Sequence, residues 1–133
     1  MPEESVHVVR NAYEALRRGD LEAVAALIDP EIYWQGAGQA PEGQDERDWD
    51  CRDRDEALEV LRWRLECGEI GKIEEMVSVG DAVLLCSSLP AGMEVTADGQ
   101  TPARIFQVVK VRDGKIVRVE DHLTRDDALA ATR

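Results

Sequence analysis

Apolar positions near the start of the chain recur at helical spacing. Val6, Val9, Tyr13 and Leu16 fall at i, i+3, i+7 and i+10, one face of a helix over residues 5–18. Ser5 can cap its start and Gly19 its end, and Asp20 caps a short second helix carrying Leu21, Val24, Ala25 and Ile28. Asp29-Pro30 stops that helix, because a residue before proline is disfavoured in the helical region. Residues 31–35 alternate, with Ile32 and Trp34 on one side and Tyr33 and Gln35 on the other, which predicts a short strand. Asp53 and Glu56 form a capping-box-like pair ahead of Ala57, Leu58, Leu61 and Leu65, so a third helix runs from near Arg54 to Cys67-Gly68. From there the pattern is β. Residues 73–79 and 82–89 flank a turn at Gly80-Asp81, and residues 103–111 and 115–123 flank Asp113-Gly114. Residues 36–52 and 90–101 read as loops, and 126–133 as a short Ala-rich helix, docked or frayed. Three helices followed by a curved antiparallel sheet predict one α+β domain over residues 1–133, with a core at about 5–125 and the helices on one face.

The last hairpin carries the most information. A two-residue turn at Asp113-Gly114 pairs Arg112 with Lys115 and leaves both faces mixed. A three-residue loop, with Gly114 as a left-handed bulge, pairs Val111 with Lys115, Val109 with Val117, Gln107 with Val119 and Ile105 with Asp121. The second register separates apolar from charged residues better, and a buried face fixes register strongly. It is therefore the expected one. One face then holds Ile105, Gln107, Val109, Val111, Val117, Val119, Asp121 and Leu123. Gln107 and Asp121 intrude on it as close neighbours. A buried carboxylate is costly unless paired, hydrogen-bonded or protonated, so Asp121 has either a structural partner or a task. The opposite face mixes Phe106, Val108 and Ile116 with charges and carries His122. Such a mixture suits a homodimer interface on the outer sheet face.

Charge and composition narrow the function classes. The chain has 133 residues, 16 Lys and Arg against 28 Asp and Glu, and a net charge of −12. An acidic chain is repelled by phosphate backbones, so no nucleic-acid partner is expected. No apolar run approaches the ~20 residues of a membrane span, no basic amphipathic stretch suits a membrane surface, and the acidic start is no signal peptide. A cytoplasmic location follows as an expectation. Cys51, Cys67 and Cys86 lack metal-ligand spacing and read as reduced thiols, with Cys51 in a charged, exposed-looking loop. That loop contains Trp49 as its one apolar handle, and it reads either as a solvated segment or as a lid. No metal is expected, and no Gly-rich phosphate loop follows a strand, so no cofactor is expected either.

Three segments, VVRNAYEALRRGDLEAVAALIDPEIYW, DRDEALEVLRWRL and VVKVRDGKIVRVEDHLTRDDALAA, resemble the SnoaL-like group of the nuclear-transport-factor-2-like superfamily. The resemblance covers most of the chain apart from the two loops. It implies a cone-shaped half-barrel, in which a bent sheet wraps a long first helix and leaves a mostly apolar pocket at the open end. Relatives include polyketide cyclases, ketosteroid isomerase, limonene epoxide hydrolase, scytalone dehydratase and non-enzymatic binding domains, so the fold alone does not license a function. The cyclase pattern places its acid/base aspartate at Asp121 and its frequent histidine at Gln107. The isomerase base would fall near Gly36 and its helix tyrosine near Ala12, which leaves those roles empty. The epoxide hydrolase arrangement would need charges that Gln107 lacks and an inward arginine, whereas Arg104 is expected to point outward.

Two readings follow. In the first, Asp121 takes a proton next to a carbonyl on a small apolar molecule, in cyclisation, isomerisation or dehydration, while Gln107 holds the oxygen or orients the carboxyl. Trp34, Ile105 and Val109 line the pocket, with Tyr13 and Trp63 further in. In the second, a dimeric domain holds a small apolar ligand or a partner without chemistry. A cavity reaching Asp121 favours the first reading.

Overall fold

The structure is a computed structural model. It describes residues 2–35, 50–66, 72–88, 104–122 and 124–132. The expectations for Trp49, Cys67, Gly36, Leu123 and the loop at 90–101 lie outside the described residues.

Helix α1 (Pro2–Arg17) and α2 (Leu21–Ala26) are joined at Gly19, whose φ of +75° closes the first helix. The N–H of Gly19 donates to Leu16 O and that of Asp20 to Ala15 O, so the last carbonyls of α1 are satisfied. Asp20 caps α2 by accepting from the Ala23 amide at 3.1 Å. Strand β1 (Ile28–Gln35) then begins earlier than expected, because Ile28 joins the sheet rather than ending the helix. Its neighbour Leu27 accepts the Ile116 amide at 2.8 Å. Pro30 is tolerated within β1 because the strand lies at the sheet edge and its pairing skips from Ile28↔Ile116 to Tyr33↔Arg118.

Helix α3 (Arg54–Glu66) follows, with the Asp53 carboxylate accepting the Glu56 amide at 2.9 Å as the capping pattern predicts. Strands β2 (Lys72–Val79), β3 (Ala82–Ser88), β4 (Arg104–Arg112) and β5 (Lys115–His122) complete a five-stranded sheet ordered β1-β5-β4-β3-β2. The sheet is antiparallel from β2 to β5, and β1 joins β5 in parallel. The α+β half-barrel is thus as expected, with the parallel edge strand as added detail, and the Ala-rich tail forms a fourth helix, α4 (Arg125–Ala131), docked on the sheet.

The β4–β5 hairpin corrects the expected register. Arg112 pairs with Lys115 and Val111 with Ile116, so the turn has two residues, Asp113 and Gly114, both at positive φ (53° and 76°). The register then shifts by one, and Val109 pairs with Val119 and Gln107 with Asp121. The bulge falls at Val117. Ile116 therefore joins the inner face, and Val117 leaves the place expected for it.

The main core fills the concave side of the sheet, between α1, α3 and the inner residues Val83, Leu85, Val109, Ile116 and Val119. A second, smaller cluster lies on the convex side, where Ala128 of α4 packs on Ala82, Leu84 and Val108. Val108, expected on the open outer face, is covered by the chain's own last helix, and Ile116, expected beside it, faces inward.

Candidate functional site

The concave face is built in rows across the strands. Val83, Val109 and Val119 stand side by side on β3, β4 and β5 and continue to Trp34 on β1. The next row is Leu85, Gln107 and Asp121, and beyond it Ser87 stands beside Ile105. Inner residues alternate along each strand, so a polar group placed two positions beyond an apolar one keeps the same face. The first of these rows is apolar, and polarity enters in the next two.

Asp121 is only 7 % exposed. Its Oδ1 accepts from Gln107 Nε2 at 2.8 Å and from Trp34 Nε1 at 3.0 Å. Burial pushes its carboxyl above the ordinary value of 3.8, opposed by those two hydrogen bonds and by the field of Arg64. Both bonds converge on Oδ1, and Oδ2 carries none among the described residues.

A cavity of about 110 Å³ opens between α1, α3 and the sheet. Its apolar walls come from Val9, Ala12 and Leu16 on α1, Ala57 and Leu61 on α3, and Ile105, Val109 and Val119 on the sheet. Four polar side chains and the Trp34 indole also face it: Tyr13, Arg64, Ser87 and Gln107. Tyr13 hydrogen-bonds Ser87, and burial raises its phenol pKa despite that bond and Arg64. The volume is comparable to the ~150 Å³ that holds a single benzene-sized molecule in an engineered apolar cavity. The space therefore suits one small ring or branched chain.

Of the residues expected at the site, Trp34, Ile105, Val109, Tyr13 and Gln107 all line this cavity. Asp121 is not in the wall itself, and the cavity reaches its two hydrogen-bond donors instead. Trp63 is a correction: it is 55 % exposed and lies on the outer side of α3. The helix presents Ala57, Leu61 and Arg64 to the cavity, at i, i+4 and i+7, and the adjacent position points about 100° away. Arg64 and Ser87 are the polar lining residues that the sequence reading missed. The signals were an arginine on the apolar stripe of a helix and a serine continuing the inward alternation Val83, Leu85, Ser87.

Behind Trp34 the chain returns to close the edge of β1. The Trp34 amide donates to Cys51 O at 2.8 Å and the Cys51 amide to Trp34 O at 2.9 Å. Cys51 is consequently buried, not exposed as its charged neighbours suggested, and burial pushes its thiol up to about 11. Tyr33 donates its hydroxyl to the buried Asp50 carboxylate, a second tie between β1 and the returning chain. No group of three or more potential metal ligands is assembled among the described residues, and no helix there is long and apolar enough to cross a membrane.

A family model described as the SnoaL-like domain matches residues 9–119. No protein of curated function matches the sequence significantly. Among solved structures, a candidate polyketide cyclase from Sinorhizobium meliloti superposes with a TM-score of 0.68 at 14 % identity, covering 87 % of this chain and 94 % of its own. A nuclear-transport-factor-2-like protein of unknown function from Burkholderia pseudomallei gives 0.66 at 21 % identity, covering 96 % and 95 %. A candidate ketosteroid isomerase from Kribbella flavida gives 0.59 at 19 % identity, covering 90 % and 76 %.

Proposed function

The chain belongs to the SnoaL-like domain family, and on that premise we propose that its cone binds a small, largely apolar carbonyl compound and moves a proton on it through Asp121. The observation that carries this reading is the buried Asp121 carboxyl, raised in pKa and hydrogen-bonded to two residues of the cavity wall. A general base works best when its pKa approaches the working pH, and desolvation moves a carboxyl in that direction. In the forward step the Asp121 carboxylate takes a proton from the carbon next to the carbonyl, and the electron pair moves onto the carbonyl oxygen. Gln107 has a second amide N–H beyond the one spent on Asp121, and it can donate to that oxygen. Return of the proton to another carbon completes an isomerisation. Attack of the carbanion on a second carbonyl, whose oxygen then takes the proton back from Asp121, would complete a cyclisation. Neither needs a cofactor.

The proposal needs the substrate to displace Trp34 or Gln107 slightly from Asp121, since these donors, and not the carboxyl, form the wall. That same observation favours a second reading, in which the cavity holds its ligand without chemistry and Asp121 only orients Gln107 and Trp34. Hydrogen–deuterium exchange at the α-carbons of cyclohexanone in D2O, followed by proton NMR, separates the two. The first reading expects exchange faster than buffer alone and lower by about 10²-fold in Asp121→Asn. Saturable binding of cyclohexanone without faster exchange supports the second.

A further inference from the structure

Arg64 is the group that the proton-transfer reading leaves unused. It lines the cavity from the last turn of α3, and its guanidinium carbon sits 5.5 Å from the centre of the Trp34 ring. Its Nε is buried with no hydrogen-bond partner, and among the described residues it has no ion-pair partner. Acidic residues outnumber basic ones by 28 to 16 in this chain, so an arginine without a carboxylate partner is not for want of acids. Elsewhere on the surface the arginines do find them: Arg104 meets Glu74 at 3.1 Å and Arg125 meets Glu75 at 2.8 Å.

A guanidinium presents its donors in a fixed planar fork that suits two oxygens of one carboxylate. The stack on Trp34 holds that fork and satisfies one face of it, without using any N–H. A buried N–H left unpaired costs free energy, which a bound acceptor would return. The neighbouring Asp121 does not supply one: its two hydrogen bonds come from Gln107 and Trp34, and no ion pair among the described residues joins it to Arg64.

Building on the pocket reading above, we propose that the ligand is a small organic acid, and that its carboxylate pairs with Arg64 while its apolar body fills the cavity. Tyr13 and Ser87, already bonded to one another on the facing wall, bound the polar end of the site. Arg64 is then a binding and specificity residue, and it selects the anion among apolar molecules of similar shape.

The test compares cyclohexanecarboxylate with cyclohexyl methyl ketone, two probes of similar shape that differ in charge. Binding is followed by ligand-observed NMR at pH 7 and low salt, for the wild type, Arg64→Met and Arg64→Lys. The proposal expects the wild type to bind the carboxylate at least tenfold tighter than the ketone. Arg64→Met, which keeps an apolar stem, should lose that preference while still binding the ketone, and Arg64→Lys should recover part of it. Ketone binding with no carboxylate preference, or a preference that survives in Arg64→Met, overturns the inference and leaves the pocket reading standing. Failure of both probes to bind the folded wild type overturns both.

Discussion

Gln107 and Asp121 face each other directly across β4 and β5, and the amide of the first donates to the carboxylate of the second at 2.8 Å. The pair sits where the sheet's inner face changes from valine rows to polar groups. Its consequence is measurable as a pH dependence. Burial raises the Asp121 pKa above 3.8 in the folded chain. An acid that binds its proton more tightly when folded stabilises the fold at pH below its unfolded value, and that contribution is lost as pH rises through the folded value. Wild-type stability relative to Asp121→Asn should therefore fall as pH rises above 3.8, with each unit of pKa elevation contributing ~1.4 kcal/mol. Urea unfolding of both proteins across that range measures the slope. A carboxyl-carbon NMR titration, assigned with the same variant, measures the pKa directly. A relative stability that rises with pH would mean a charge-stabilised aspartate and would remove the basis for general-base chemistry.

Trp34 links three features of the site: its indole donates to Asp121, its ring lies under Arg64, and its backbone pairs with Cys51. Trp34→Phe keeps a ring and the backbone pairing but removes one donor. A hydrogen bond to a charged acceptor contributes on the order of 1.5–3 kcal/mol. The Asp121 carboxylate should lose that stabilisation, so its pKa should move further up while the fold is retained. The same titration reads the change, and an unchanged or lower value would show that the indole does not stabilise the carboxylate.

The sequence made the face of Asp121 legible even though the hairpin register was misjudged. The expected pairing put Gln107 opposite Val119, and the actual partner is Asp121, two residues further on. Side chains alternate with period two, so a two-residue slip leaves every side chain on its original face. The single-residue bulge at Val117 is different. It exchanges Ile116 for Val117 on the inner face, and hydrophobicity cannot distinguish two β-branched neighbours. A helix is less forgiving, because one residue turns the side chain by about 100°. That is how Trp63, chosen as a large aromatic, came out exposed, while Arg64 beside it faces the cavity. The burial of Cys51 was not legible at all. It depends on backbone pairing with Trp34, and a run of charged neighbours carries no sign of a partner so distant in the chain.

Cys51 should be inert in the folded protein. A thiol at about 11 is roughly one part in a thousand thiolate at pH 8, and the thiolate is the reactive form. Iodoacetamide should therefore modify Cys51 at pH 8 at a rate set by unfolding, and urea should speed it in step with the loss of structure. Peptide mass spectrometry reads the site. The raised pKa also carries a sign for stability: below the ordinary thiol value of 9.0 it has no effect, and as pH climbs from there toward 11 stability is lost. Rapid native-state alkylation at Cys51 would contradict the closed edge of β1.

The last helix should matter more than its seven residues suggest. Ala128 is fully buried against Ala82, Leu84 and Val108, and Leu84 and Val108 are themselves almost completely covered. A charge at position 128 cannot be hydrated without undocking α4, and undocking uncovers an apolar patch on the convex sheet face. Ala128→Asp is expected to lower stability by about 1–3 kcal/mol. It should also abolish slow amide exchange across residues 125–131 and increase self-association at high concentration. Hydrogen exchange with mass spectrometry checks the first effect, and light scattering over a concentration series checks the second. The Arg125–Glu75 ion pair is too exposed to hold α4 by itself, so Glu75→Gln serves as the control and should change stability by well under 1 kcal/mol. If Ala128→Asp leaves exchange and association unchanged, the convex cluster is not what holds α4 to the sheet.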